Sequence, residues 1–151
     1  MKEGSYARFA AMVATSTAVG FAAMYLNVFA FDHVYFSWMR MFMALIMGGV
    51  MTAIMMAFMW GMYPDKRANW VVMAIAATLF VVGFALARSQ ATVDDVSYMK
   101  AMIPHHSIAI LTSSRARIED PRVRKLADGI IESQKKEISE MQALVTELER
   151  R

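Results

Sequence analysis

The chain contains no cysteine. That excludes disulfides, thiolate zinc sites and cysteine nucleophiles, though it leaves the redox compartment open. It also has no Glu-x-x-His pair of the kind that builds di-iron helical bundles, and no nucleophile-and-base set with a third group to orient it. The chain is therefore expected not to be an enzyme. The formal charge is only +3, and no basic stripe is interleaved with aromatics, so nucleic acid is not an expected partner. Charge is missing from three long stretches as well. Phe9–Phe31, Met41–Tyr63 and Ala68–Ala87 contain no Asp, Glu, Lys or Arg.

Each uncharged stretch reaches the roughly 20 residues that an α-helix needs to cross a bilayer core of about 30 Å. Three transmembrane helices are expected, with the lipid bilayer as a partner. The first run is longer than the apolar core of a signal peptide, which reads as a retained anchor. Tyr25, Tyr35, Trp38, Trp60, Tyr63 and Trp70 fall near the expected span ends, where interfacial aromatics gather. Lys2, Arg8, Lys66 and Arg67 lie on one side of this topology, and Arg40 and Arg88 on the other. The excess of basic residues puts the N-terminus in the cytoplasm and the C-terminal segment outside. In a bacterium that means an inner-membrane protein with a periplasmic or extracellular tail.

The remainder, residues 89–151, is charged and helical in pattern, so the chain divides into a membrane domain over 1–88 and a polar domain over 89–151. Thr92 and Asp95 read as a capping box for a helix over 93–118. Asp120-Pro121 reads as an N-cap followed by proline at the first position of a second helix, ending near Leu148. A short connection makes these helices an antiparallel hairpin. The expected fold is thus all-α: three transmembrane helices, then an extramembrane two-helix hairpin.

The 3.6-residue period turns Met99, Met102, Ile103, His106, Ile110 and Ser113 inward on the first hairpin helix. On the second it turns Ala127, Ile130, Gln134, Ile138, Met141, Val145 and Leu148 inward. Partner positions summing to about 240 set Met99 opposite Met141, His106 opposite Gln134, and Met102 near Glu137 and Ile138. A hairpin of this size buries little apolar area. A homo-oligomer, with two hairpins making four helices, is the expected remedy; docking onto the membrane domain is the rival.

Soft ligands concentrate in this hairpin. The chain has 16 methionines and three histidines, and Met102, His105 and His106 fall within about one helical turn. Thioether sulfur selects Cu(I), and imidazole accepts either copper state. Zinc on imidazole and Glu137 would leave the thioethers without a role. Pro104 removes one backbone donor just before the histidines and is expected to kink the helix.

Two other features have plainer readings. Met39, Met43, Met47, Met51, Met55 and Met59 recur every four residues, which traces a ridge that winds round its helix. A copper path through the membrane is one reading; adaptable apolar packing is the favoured one. Gly48-Gly49 in the same run favours close helix packing. Asp32 and His33 read as a polar interfacial turn in preference to an extension of the metal site.

At Met102-Ile103-Pro104-His105-His106 the sequence resembles the domain-of-unknown-function family 305. The resemblance continues through Ala109, Arg115-Ala116, Asp120-Pro121-Arg122-Val123, Leu126-Ala127, Ile130-Ile131, Gln134, Glu137-Ile138 and Met141. It covers the hairpin, and the three runs before it resemble the membrane-anchored branch of that family. The resemblance implies a ferritin-like helical fold, here a half-bundle, and for some members periplasmic copper binding through methionine and histidine. By matching position the implied ligands are Met102, His105, His106 and Met141, with Met99 adjacent. Many members carry a methionine about where this chain has Thr112. The expected role, from the residues and the resemblance together, is copper sequestration or delivery, with a periplasmic copper-handling protein as a further candidate partner. The alternative is an interaction module that oligomerises or docks through its hairpin.

Overall fold

A computed structural model of the chain describes residues 5–150. Lys2, counted above for orientation, lies outside them. Five α-helices follow in order: α1 Tyr6–Ala23, α2 Trp38–Phe58, α3 Lys66–Ser89, α4 Asp95–Arg115 and α5 Pro121–Leu148. Short 3-10 turns at Phe31–His33 and Trp60–Met62 flank α2. The all-α class is as expected. The helices divide into two compact units, one of residues up to 24 with 39–92, the other of residues 25–38 with 93 onward.

In the first unit two helices, not three, are long and apolar enough to cross a membrane among the described residues. These are α2 at mean hydropathy 2.1 and α3 at 2.4. The first uncharged run is cut short as a helix because α1 stops at Ala23 and the chain turns over 24–27. Arg8, Thr15, Ser16, Thr17 and Gly20 also dilute the apolar character of α1. Its 18 residues span about 27 Å at 1.5 Å each.

Polar contacts tie together one end of this unit. Tyr6 Oη, with one hydrogen to share, lies 2.8 Å from Asn69 Oδ1 and 2.9 Å from the Asp65 carbonyl oxygen. Asn69 is fully buried, and its amide donates to the Trp60 and Tyr63 carbonyls at 3.4 Å. Asp65 caps α3 by accepting from the Arg67 and Ala68 amides. Helix contact depends on glycine at specific places. A Cβ at Gly49 would stand 2.7 Å from the Ala76 carbonyl oxygen, and one at Gly83 would stand 3.1 Å from Leu45 and the Phe42 carbonyl. The glycine pair thus packs α2 directly on α3.

The second unit is the hairpin. α4 is capped by Asp94, whose carboxylate accepts from the Ser97 amide at 2.7 Å, and not by the Thr92–Asp95 box. It ends at Arg115, three residues short of the expected 118. Pro104 is buried inside α4, which runs on through it. α5 begins as expected, with Asp120 accepting from the Arg122 amide at 2.8 Å and Pro121 in the first turn. Ile103, Ile110 and Ile138 form the core, with Ile131 and Met141 packed beside them. Ile131 therefore faces α4 and Ile130 faces out, the reverse of the expected face. The buried seam steps strictly by four and three through Ala127, Ile131, Gln134, Ile138, Met141 and Val145, and Ile130 falls one residue off it.

The hairpin has a third layer that the sequence does not announce. Residues 25–38 lie against it: Tyr35 packs on the isoleucine core, and the Phe29 amide donates to Ser107 Oγ at 2.7 Å. The Gln142 amide donates to the Asp32 carbonyl at 3.4 Å. Residues 25–38 thus leave the expected 1–88 domain and join the hairpin.

Candidate metal centre

The helical positions Asp95, Met99, Met102 and His106 follow one another at steps of three and four, which aligns them along α4. Glu137, Glu140, Leu144 and Leu148 do the same along α5, with Met141 beside Glu140. Together with Tyr98 these side chains line a groove of about 520 Å³ between the two helices. Met99 is buried, and Met102, His106 and Met141 are half-buried. Four of the five expected ligands therefore meet in one place.

His105 is the exception. It is exposed and does not line the groove, its ring standing 6.2 Å centre to centre from that of His106. Consecutive helical residues point about 100° apart, and with His106 turned into the groove His105 falls on the exposed side.

His106 also meets a different partner from the one expected. Its Nδ1 lies 3.0 Å from Glu137 Oε2, about one turn along α5 from Gln134. The five-residue connection 116–120 shifts the register that a tighter turn would set. The 3.0 Å separation suits a hydrogen bond, but the ring N–H is out of line with the carboxylate, so Nδ1 is buried beside a charge without an aligned hydrogen bond. Burial pushes the His106 imidazole below its ordinary pKa, and His105 adds to this, while the Glu137 carboxylate pulls the other way. At neutral pH the ring is therefore neutral, the form that ligates metal.

Chemically, the groove offers one imidazole and three thioethers, with carboxylates at its edge. Among the described residues no three His, Asp or Glu side chains gather closely enough to hold a metal ion. A hard or borderline ion would need such a group. The donor set fits a soft ion, with Nε2 of His106 as the free nitrogen. Glu137 on Nδ1 would then fix the ring's orientation from behind.

Ser107 was not singled out from the sequence, although it is fully buried beside His106. Its Oγ accepts the Phe29 N–H and lies 2.9 Å from His33 Nδ1. The His33 tautomer sets which of the two donates, since the serine hydroxyl can both give one hydrogen and accept twice. Asp32 Oδ1 stands 3.9 Å from His33 Nε2. His33 thus docks residues 25–38 onto α4 and does not extend the groove. A serine inside an aliphatic helix face was the available signal.

The methionine row of α2 changes surroundings along its length. Met39, Met43 and Met47 are exposed, Met51, Met55 and Met59 are half-buried, and the off-row Met56 is the one fully buried. A ridge that winds in this way behaves as packing surface.

Comparison with known proteins bears on the same segment. An uncharacterized protein of Acanthamoeba polyphaga mimivirus is 43% identical over 75 residues, which is 48% of this chain and 49% of that protein. The chain thus matches about half the length of this curated relative. No solved structure matches. Residues 84–150, the end of α3 and the whole hairpin, match the family described as "Domain of unknown function (DUF305)", which bears out the resemblance read at Met102–His106.

Proposed function

We propose that this is a membrane-anchored metal-binding protein that holds Cu(I) in the groove between α4 and α5, for sequestration or delivery. His106 supplies nitrogen, and Met99, Met102 and Met141 supply sulfur. Glu137 orients His106. His105, outside the groove, is left out of the ligand set. The observation that carries this reading is the meeting of three thioethers and one imidazole where no cluster of harder ligands competes.

The membrane part of the proposal has the topology expected from the sequence: three crossings, the N-terminus cytoplasmic and the hairpin outside. It is supported by α2 and α3 and by their outward apolar residues. Phe58, Val71, Ile75, Val81 and Phe84 are all more than half exposed, a display that water-facing surfaces seldom carry. Methionine also suits an oxidising space, because a thioether forms no disulfide.

Competition between metals tests the proposal. The purified full chain, equilibrated with Cu(I) and Zn(II) under anaerobic conditions and then desalted, is expected to retain copper. Retention of zinc in its place would remove the thioethers from the account.

A further inference from the structure

We propose that the outward side of residues 25–38 is a lipid-contacting strip, seated in the interfacial layer of the bilayer while its inner side holds the hairpin. Burial alternates from His33 to Trp38, as it does along an extended chain. His33, Tyr35 and Ser37 turn inward: His33 meets Ser107, Tyr35 packs on the isoleucine core, and Ser37 is buried. Val34, Phe36 and Trp38 turn outward and are exposed, the last two with their rings edge to face at 5.3 Å. Leu26 and Phe31, 82 and 93% exposed, belong to the same segment. Single exposed apolar residues are ordinary, but a run of them marks a contact surface.

Position and charge identify the occupant. The strip ends on Trp38, the first residue of α2, which is long and apolar enough to cross a membrane. Val34 and Phe36 lie within four residues of Trp38, hence at most about 14 Å from it. That keeps them near the level at which a span enters the polar layer, where aromatic side chains gather. A protein partner would ordinarily be met by a polar rim and complementary charges. Residues 25–38 hold no Lys or Arg and a single acid, Asp32. Asp32 is exposed beside His33, which suits the headgroup level and limits the depth of insertion. A neutral lipid surface is therefore enough, since the strip has no cation for an anionic one. Tyr35, expected at the interface from the sequence, is an inner residue instead, and Phe31 and Phe36 take that place. Because Ser107 and Tyr35 fasten the segment to the hairpin, the strip holds the hairpin at the membrane surface. The inference rests on the membrane-anchored reading above and needs none of the copper ligands.

The test uses the absence of native cysteine. Full-length F31C, L26C, V81C and K136C are each labelled with a thiol-reactive fluorophore and reconstituted into phosphatidylcholine nanodiscs. Val81 reports on the exposed side of α3, and Lys136 on the solvated side of α5. Quenching by brominated acyl chains is expected at F31C, L26C and V81C. Quenching by iodide is expected to be several-fold stronger at K136C than at F31C or L26C. Both strip variants replace exposed side chains, so folding is preserved and each checks the other. Iodide quenching at F31C and L26C equal to that at K136C, with V81C still quenched by lipid, would overturn the proposal and leave the membrane reading standing. No lipid quenching at V81C would overturn both. Protection of F31C and L26C from both quenchers would overturn the proposal as well, leaving the strip to a protein partner.

Discussion

His106 Nδ1 rests 3.0 Å from Glu137 Oε2, across the interface of the two hairpin helices. The contact joins a half-buried imidazole to a carboxylate that is 45% exposed, so its worth as an ion pair is small. Its consequence is geometric. With Nδ1 facing Glu137, Nε2 is the nitrogen left for a ligand in a groove that already holds three thioethers.

Replacing Glu137 therefore affects metal affinity more than stability. E137Q keeps the side-chain shape and an acceptor oxygen, while E137A removes both. Losing an outer partner of a ligating histidine costs about 10- to 100-fold in affinity. E137A is expected to weaken Cu(I) binding by that order and E137Q by less, with little change in thermal unfolding. Competition titration against a Cu(I) chelator measures the first, and differential scanning calorimetry the second.

Ser107 is the fastening point of residues 25–38. Its replacement by alanine takes the acceptor from the part-buried Phe29 N–H and removes the partner of His33. Losing one such hydrogen bond costs about 0.5–1.5 kcal/mol. S107A is expected to lose hydrogen-exchange protection at Phe29, while amides within α5 keep theirs. Unchanged protection at Phe29 would show that Tyr35 and the Gln142 contact suffice.

The direct α2–α3 contact predicts a sharp response at Gly49. A methyl group there would press on the Ala76 carbonyl oxygen and the Phe80 amide nitrogen, which are backbone atoms that cannot turn aside. G49A is expected to destabilise the first unit by about 1–3 kcal/mol. G129A, where nothing stands within 4 Å, is expected to be neutral or stabilising for the hairpin. Thermal unfolding of the two variants in the same detergent gives the comparison.

Acidification acts through His106 first. Because its folded pKa lies below the ordinary value, the unfolded chain takes up the proton at a higher pH than the folded one. Stability therefore holds above the ordinary histidine pKa and falls as pH drops below it towards the folded value. Asp94 and Asp120 follow at lower pH. The Ser97 amide holds the first, and the Arg122 side chain and amide hold the second, below the ordinary carboxylate pKa. Their contributions are present above that value and are lost as pH falls through the folded one. H106Q is expected to flatten the first phase of acid destabilisation and leave the second, as read from urea midpoints across pH.

Much of the hairpin was legible because its signals are local. Asp120-Pro121 fixes the start of α5, and the heptad spacing of Ala127, Ile138 and Val145 fixes its buried face. The same local signals brought Met99, Met102, His106 and Met141 to one groove. The misses are non-local. Whether Ile130 or Ile131 faces inward, and whether Gln134 or Glu137 meets His106, depends on how the connection 116–120 sets the register. The docking of 25–38 rests on Ser107 and Phe29, which are 78 positions apart, and no periodicity records such a pairing. At α1 the first run falls outside the two helices long and apolar enough to cross a membrane, because absence of charge is not the same as apolarity: Thr15, Ser16, Thr17 and Gly20 are uncharged too.

The most direct test of the copper groove is a Cu(I) competition titration of the full chain, run on H105A and H106A in parallel. The sequence makes these histidines equivalent neighbours, and the groove separates them. H106A is expected to lose at least about tenfold in affinity, the scale of one lost ligand contact worth about 1.4 kcal/mol. H105A is expected to bind like the parent. Equal loss in both variants would contradict the groove as the site, and full retention in both would contradict histidine ligation altogether.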